Sequence, residues 1–191
     1  MSPAEVLALI GAFDPAGDGE LEKSRELIGM MLTHSPNPFS RDQFQPGHMT
    51  ATACVLHPAE QSVLLIRHKR LDRWLLPGGH VEIEDRTPDA TAMREAVEET
   101  SVRLEPSVGL LVGMDVHGIP PKKREPFHLH HDLIFSFRAA AVEVGISEET
   151  RGVVWCAFGD FEKYGLAGSI RRAAIRSWEP ASKQARMTSS S

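Results

Sequence analysis

The sequence is short of positive charge. Its 21 Lys and Arg face 26 Asp and Glu, a formal net charge of −5. No excess is left to neutralise the phosphates of a nucleic-acid polymer or an anionic membrane. Cysteine is scarce as well: only Cys54 and Cys156 occur, both in apolar stretches and with no C-x-x-C pair. They read as reduced core residues of a cytosolic protein, not as reactive thiols. No apolar run approaches the ~20 residues that cross a bilayer. The opening MSPAEVLALIGAF is apolar but carries Glu5 and has no basic leader, which argues against a signal peptide. Together these features lead us to expect a soluble, cytoplasmic protein that binds neither membrane nor nucleic-acid polymer. A small charged substrate stays compatible, because a bound metal supplies positive charge locally.

What is present describes a globular chain. Hydrophobic residues make up 41% and charged residues 25% of 191 positions, enough for one domain plus an extension. Ser2 with Glu5 forms a capping box and Pro3 takes the first helical position. Val6, Leu9, Ile10 and Phe13 then follow at helical spacing. The segment DPAGDG breaks this helix, and Leu21 to Leu32 carries a second amphipathic pattern. Residues 1–45 are therefore expected to be a helical extension that covers the main domain or a homodimer interface. From Met49 the runs TATACVLH and SVLLIRH suggest a hairpin. Further strand-like runs lie near Val108–His117, His128–Ala139 and Gly152–Phe158. A last helix places Ile170, Ala173, Ala174 and Ser177 on one side, and residues 181–191 have little to bury and are expected to be disordered. Mixed strands with helices before, between and after predict an α/β sandwich.

Chemistry concentrates in LPGGHVEIEDRTPDATAMREAVEETSV, Leu76 to Val102. Thr87 and Pro88 start a helix. Met93, Ala96, Val97 and Thr100 form its expected buried side, and Glu95, Glu98 and Glu99 the opposite one, since residues three and four apart are neighbours on a helix. Three clustered carboxylates repel one another, and a hard divalent cation removes that penalty. Gly78-Gly79 lets the backbone approach the helix and offer a carbonyl oxygen. Arg94 can hold a carboxylate through its planar fork. The bland alternative is a solvated acidic face.

This segment resembles the Nudix box, G-x5-E-x7-R-E-U-x-E-E-x-G-U, with Gly79 at its first glycine and Arg94-Glu95-Ala96-Val97-Glu98-Glu99-Thr100 at its core. Gly79 to Arg94 is one residue longer than the pattern. Asp85 therefore holds the place of the lone Glu, with Glu84 beside it, and Ser101 replaces the final glycine. The resemblance implies a Nudix-type α/β/α sandwich with a mixed β-sheet over residues 46–180, after the N-terminal helical extension. It implies Mg²⁺ or Mn²⁺ held by Glu98, Glu99 and the Gly79 carbonyl. Glu95 would complete the shell or deprotonate the attacking water. The implied activity is hydrolysis of a phosphoanhydride bond in a nucleoside-diphosphate-linked or related small-molecule diphosphate. A diphosphate-compound isomerase and a catalytically silent ligand-sensing module are the alternatives.

A second run, PFHLHHDLIF, puts His128, His130 and Asp132 on one face of a strand and Leu129, His131 and Leu133 on the other. The His face can line the substrate cleft together with His80 and Glu82, hold a transition metal such as Zn²⁺, or form a packed polar network. Weaker candidates are Lys122-Lys123-Arg124 and the basic turn His68, Lys69, Arg70 and Arg73 for phosphate, and Glu149 as a further metal ligand.

Overall fold

A computed structural model describes residues 1–148 and 150–188, with side chains given as far as residue 178. Local chemistry sets its helix starts. The Glu5 carboxylate accepts from the Ser2 N–H at 2.7 Å while the Ser2 hydroxyl accepts from the Glu5 N–H, closing the capping box of α1, Pro3–Ala12. Asp18 caps α2, Gly19–His34, by accepting from the N–H groups of Glu20 and Leu21. Thr87 caps α3, Pro88–Thr100, with Pro88 where no intrahelical N–H is needed. The α3 helix ends on Ser101 in the left-handed region at φ +52°, a conformation glycine takes without a steric penalty. The chain closes with α4, Gly168–Thr188. The expected disordered tail, residues 181–191, falls on positions without described side chains and, from 189 on, outside the described residues.

Seven strands among the described residues form one mixed sheet. Its order is β3 (Arg73–Leu75), β2 (Ser62–His68), β1 (Gly47–Leu56), β6 (His128–Arg138) and β5 (Leu110–Ile119). In addition β4 (Gly78–His80) pairs with β1, and β7 (Thr150–Ala157) pairs with β2. The β1–β6 pairing is parallel and the rest are antiparallel.

Alternation along β1 divides the core. Met49, Ala51, Ala53 and Val55 pack with Ala92 and Ala96 of α3 and with Val6, Ile10, Leu21 and Ile28 of α1 and α2. Cys54 and Leu56 pack with Ile170, Ala173 and Ala174 of α4 on the other face. Helices thus cover both sides, the α/β/α sandwich expected. The N-terminal helices share the central core, and Arg172 of α4 ties to Asp18 at 3.1 Å. No described helix is long and apolar enough to cross a membrane.

The buried stripe of α3 is rotated from the expected one. Val97 is 44% exposed and Met93 only partly covered, while Thr91, Ala92, Ala96, Glu99 and Thr100 are buried. Helical spacing alone favoured the apolar Met93 and Val97. The docking of α3 on β1 and β4 instead draws the Glu99 side inward.

Candidate active site

The site is organised around β4. Gly78, Gly79 and His80 pair with Thr52, Ala51 and Thr50 of β1, so neighbouring residues of β4 face opposite sides of the sheet. A Cβ added to Gly78 would fall 2.7 Å from the Ala51 carbonyl oxygen, and one on Gly79 would lie 2.6 Å from Glu95 Cδ. At Gly78 the clash is with backbone and only glycine fits, whereas at Gly79 a side chain would have to displace the Glu95 carboxylate. The Gly78 N–H donates to Glu99 Oε2 at 3.0 Å, which explains why a carboxylate 4% exposed is tolerated under the turn.

Arg94 gathers the remaining groups. Its Nε and Nη2 donate to Asp85 at 3.2 and 2.9 Å, Nη2 also to the His80 carbonyl at 2.8 Å, and Nη1 to Glu95 at 3.0 Å and Glu98 at 3.1 Å. Glu82 lies 3.9 Å away at the exposed rim. The fork geometry requires arginine. Asp85 also accepts from the Thr91 hydroxyl and the Glu82 N–H, each at 2.9 Å. Burial alone would raise the Asp85 carboxyl, but the Arg94, Glu82 and Thr91 hydrogen bonds outweigh it and hold it below the usual carboxylate range. Hydrogen bonding to Asp85 chiefly makes the Arg94 guanidinium more basic still. Of the pair left open by the extra residue, Asp85 joins this network, and Glu84 is exposed.

The donor set fits a hard divalent cation. Glu95, Glu98 and Glu99 present carboxylate oxygens at graded depths, with Glu98 side-chain exposure 59%, Glu95 15% and Glu99 buried, beside a glycine turn, and such oxygens could serve a cation of this kind. Glu95 and Glu98 share one guanidinium, so a cation would compete with Arg94 for them.

The opposite face of the same strands carries imidazoles. His48, His130 and His117 occupy one rung across β1, β6 and β5, and His80, Thr50, Asp132 and Asp115 the next. The His48 ring stands 4.9–5.0 Å from those of His80, His128 and His130. Burial pushes His48 down, and burial with neighbouring rings takes His80 to about 4 and His130 far below the usual imidazole range. Burial raises Asp132 to about 6 against the pull of His117 and the Thr52 and Thr50 hydroxyls; the Thr50 hydroxyl donates to it at 2.9 Å. Among the described residues, His48 Nε2 and His130 Nε2 are buried without a hydrogen-bond partner, each a cost of about 1–3 kcal/mol.

A family model for the NUDIX domain matches residues 47–176. The chain belongs to the NUDIX family. It is 31% identical over 131 residues to the protein named probable DHNTP pyrophosphohydrolase of Lactococcus lactis subsp. cremoris, covering 66% of this chain and 76% of that one. Over 83 residues it is 35% identical to diphosphoinositol polyphosphate phosphohydrolase 3-alpha of Mus musculus, covering 43% of this chain and 44% of the mouse protein. It therefore spans under half of the mouse relative's length. The fold is similar to the NUDIX domain of Shewanella oneidensis NrtR complexed with ADP ribose, with a TM-score of 0.53, 19% identity and coverage of 70% of this chain and 87% of that one.

Within this NUDIX domain the structure brings together Gly79, His80, Glu82, Asp85, Arg94, Glu95, Glu98 and Glu99. It places His128, His130 and Asp132 on the other face, joined to the first group through His80. The sequence reading missed His48, which lies far from the HLHHD run in the chain and meets it only through parallel pairing of β1 with β6. Its signal was an isolated His in PGHMTATA, opening a strand. Of the weaker candidates, Arg70 pairs with Glu125 at 3.0 Å and Lys69 donates to the Glu148 carbonyl at 3.1 Å. Lys122, Lys123 and Arg124 are exposed in the β5–β6 loop. Glu149 lies outside the described residues.

Proposed function

We propose that the protein is a divalent-metal-dependent pyrophosphohydrolase that cleaves a phosphoanhydride bond in a nucleoside-diphosphate-linked or related diphosphate compound. The observation that carries this reading is the Arg94 fork, which holds Glu95, Glu98, Asp85 and the His80 carbonyl together at a glycine turn with Glu99 beneath it. Glu98, Glu99 and the Gly79 carbonyl would hold Mg²⁺ or Mn²⁺, with Glu95 completing the set. Such an ion, when bound, neutralises charge developing on the diphosphate. Asp85 fixes the direction of Arg94 and Arg94 that of Glu95 and Glu98, so the carboxylates are oriented before substrate arrives. Glu95, beside Gly79, is the group placed to accept a proton from the attacking water. His80 and Glu82, with His128, His130 and Asp132, would be the residues that contact the rest of the substrate. The names of the relatives, which act on a diphosphoinositol polyphosphate and on DHNTP, support a small diphosphate or triphosphate substrate.

Retention of all three box carboxylates disfavours a catalytically silent module. An isomerase of the same fold would leave the phosphate count unchanged, so the decisive experiment reads phosphate. Dinucleotides, nucleotide sugars and nucleoside triphosphates are incubated with Mg²⁺ or Mn²⁺, and products are measured after phosphatase treatment. Metal-dependent cleavage of at least one compound, abolished in Glu98→Gln, is expected. A folded protein that cleaves nothing in the panel would overturn the proposal. Whether it works as a homodimer is answered by its mass in solution.

A further inference from the structure

We propose that His48, His128 and His130 form a second metal site, for a transition cation of the Zn²⁺ type, on the sheet face opposite the carboxylate helix. One ring nitrogen from each of the three lies within 4.8 Å of the others. Ring rotation needs to close these separations to about 3.3 Å for tetrahedral coordination at zinc–nitrogen distances. The backbone already sets the geometry. His48 and His130 are partners across the parallel β1–β6 ladder, and His128 stands two residues earlier on the same face of β6.

The hydrogen bonds around the rings point the same way. His48 Nδ1 lies 3.1 Å from the Gln43 carbonyl oxygen, and His128 Nδ1 lies 2.9 Å from that of Pro126. A carbonyl only accepts, so each Nδ1 carries a proton, and in the neutral ring Nε2 is the nitrogen left with a lone pair. Fixing the remote nitrogen on a backbone carbonyl is how metal-binding histidines are oriented. Correspondingly, among the described residues, Nε2 of His48 and Nε2 of His130 are buried with no other partner. A hydrogen-bonded polar network would not leave both idle. The neutral imidazole is the form that binds metal and a poor form for anchoring phosphate by charge. Imidazole selects Zn²⁺ and its neighbours over Mg²⁺, so this centre and the carboxylate helix need not compete. Three protein ligands leave a fourth position, next to His80.

The inference does not rest on the hydrolase reading, and its test does not use turnover. The full-length protein is stripped with a chelator and titrated with Zn²⁺ in millimolar Mg²⁺, which occupies the carboxylates. We expect one equivalent to bind, with affinity falling at least about 100-fold in His130→Gln and His128→Gln and unchanged in Glu98→Gln. Co²⁺ added to the unmutated protein should give the intense visible absorption of a tetrahedral site, a readout that survives any folding defect of the variants. Undiminished Zn²⁺ binding in the histidine variants, its loss in Glu98→Gln, or no tetrahedral Co²⁺ spectrum would each overturn the site.

Discussion

The two faces of β4 handle polar groups in opposite ways. On the α3 side, charge is concentrated and paired: one guanidinium serves three carboxylates and a carbonyl, so burial of Asp85 is offset by strong charge-assisted bonds. On the His80 side, charge is suppressed. Burial and neighbouring rings push His48, His80 and His130 below the usual imidazole range, and two ring nitrogens are left without partners among the described residues. A single strand thus separates a hard oxygen-donor environment from a softer nitrogen-donor one. Alternation of side chains across a sheet makes this possible, since Gly79 and His80 are adjacent in sequence yet face different surroundings.

The paired character of the α3 side is broken most severely at Arg94. Arg94→Ala leaves the Asp85 carboxylate, with side-chain exposure 6%, and the His80 carbonyl without their partner. We expect a loss of about 3–5 kcal/mol, read by urea denaturation. A loss within 1 kcal/mol would show that water replaces the fork and that the network is not structural.

Glu98→Gln separates function from stability on the same helix. The side chain is 59% exposed, so the melting temperature should hardly move. Turnover on a substrate from the panel should fall on the order of 100-fold, as when one preorganised electrostatic group is lost. Full activity would remove Glu98 from the machinery.

Asp85→Asn probes the pairing through pH and should cost about 1–3 kcal/mol at pH 7. The folded carboxyl lies below its unfolded value of 3.8. Its contribution is therefore complete above that value and is lost as pH falls through the lower folded one. As pH falls below 3.8 the wild-type advantage over Asp85→Asn should shrink, and an advantage unchanged at pH 2 would contradict the assignment. Glu148→Gln, at an exposed residue outside α3 and the histidine-bearing strands, should change stability by less than about 0.5 kcal/mol and leave turnover intact, giving the baseline for the others.

Local rules were legible in the chain, and their reach explains what was read correctly. The capping box at Ser2, the Thr87-Pro88 start of α3 and the meeting of Arg94 with Glu98 all depend on residues within four positions, where helix geometry is fixed by φ and ψ alone. The spacing therefore determined that α3 would bring together an arginine and acidic groups. It did not determine that Glu99 is buried under Gly78 while Val97 is exposed, because the docking of α3 on β1 and β4 sets which stripe turns inward. Nor did it choose between Glu84 and Asp85, a choice made by how the loop after β4 folds back on Arg94. The alternation in His128, His130 and Asp132 was visible as strand periodicity. Their partners, His48 and Thr50, arrive from a strand 82 residues earlier in the chain, through a parallel register that only the packed sheet fixes. Sequence settled which groups each element carries, and the tertiary structure decided which elements meet.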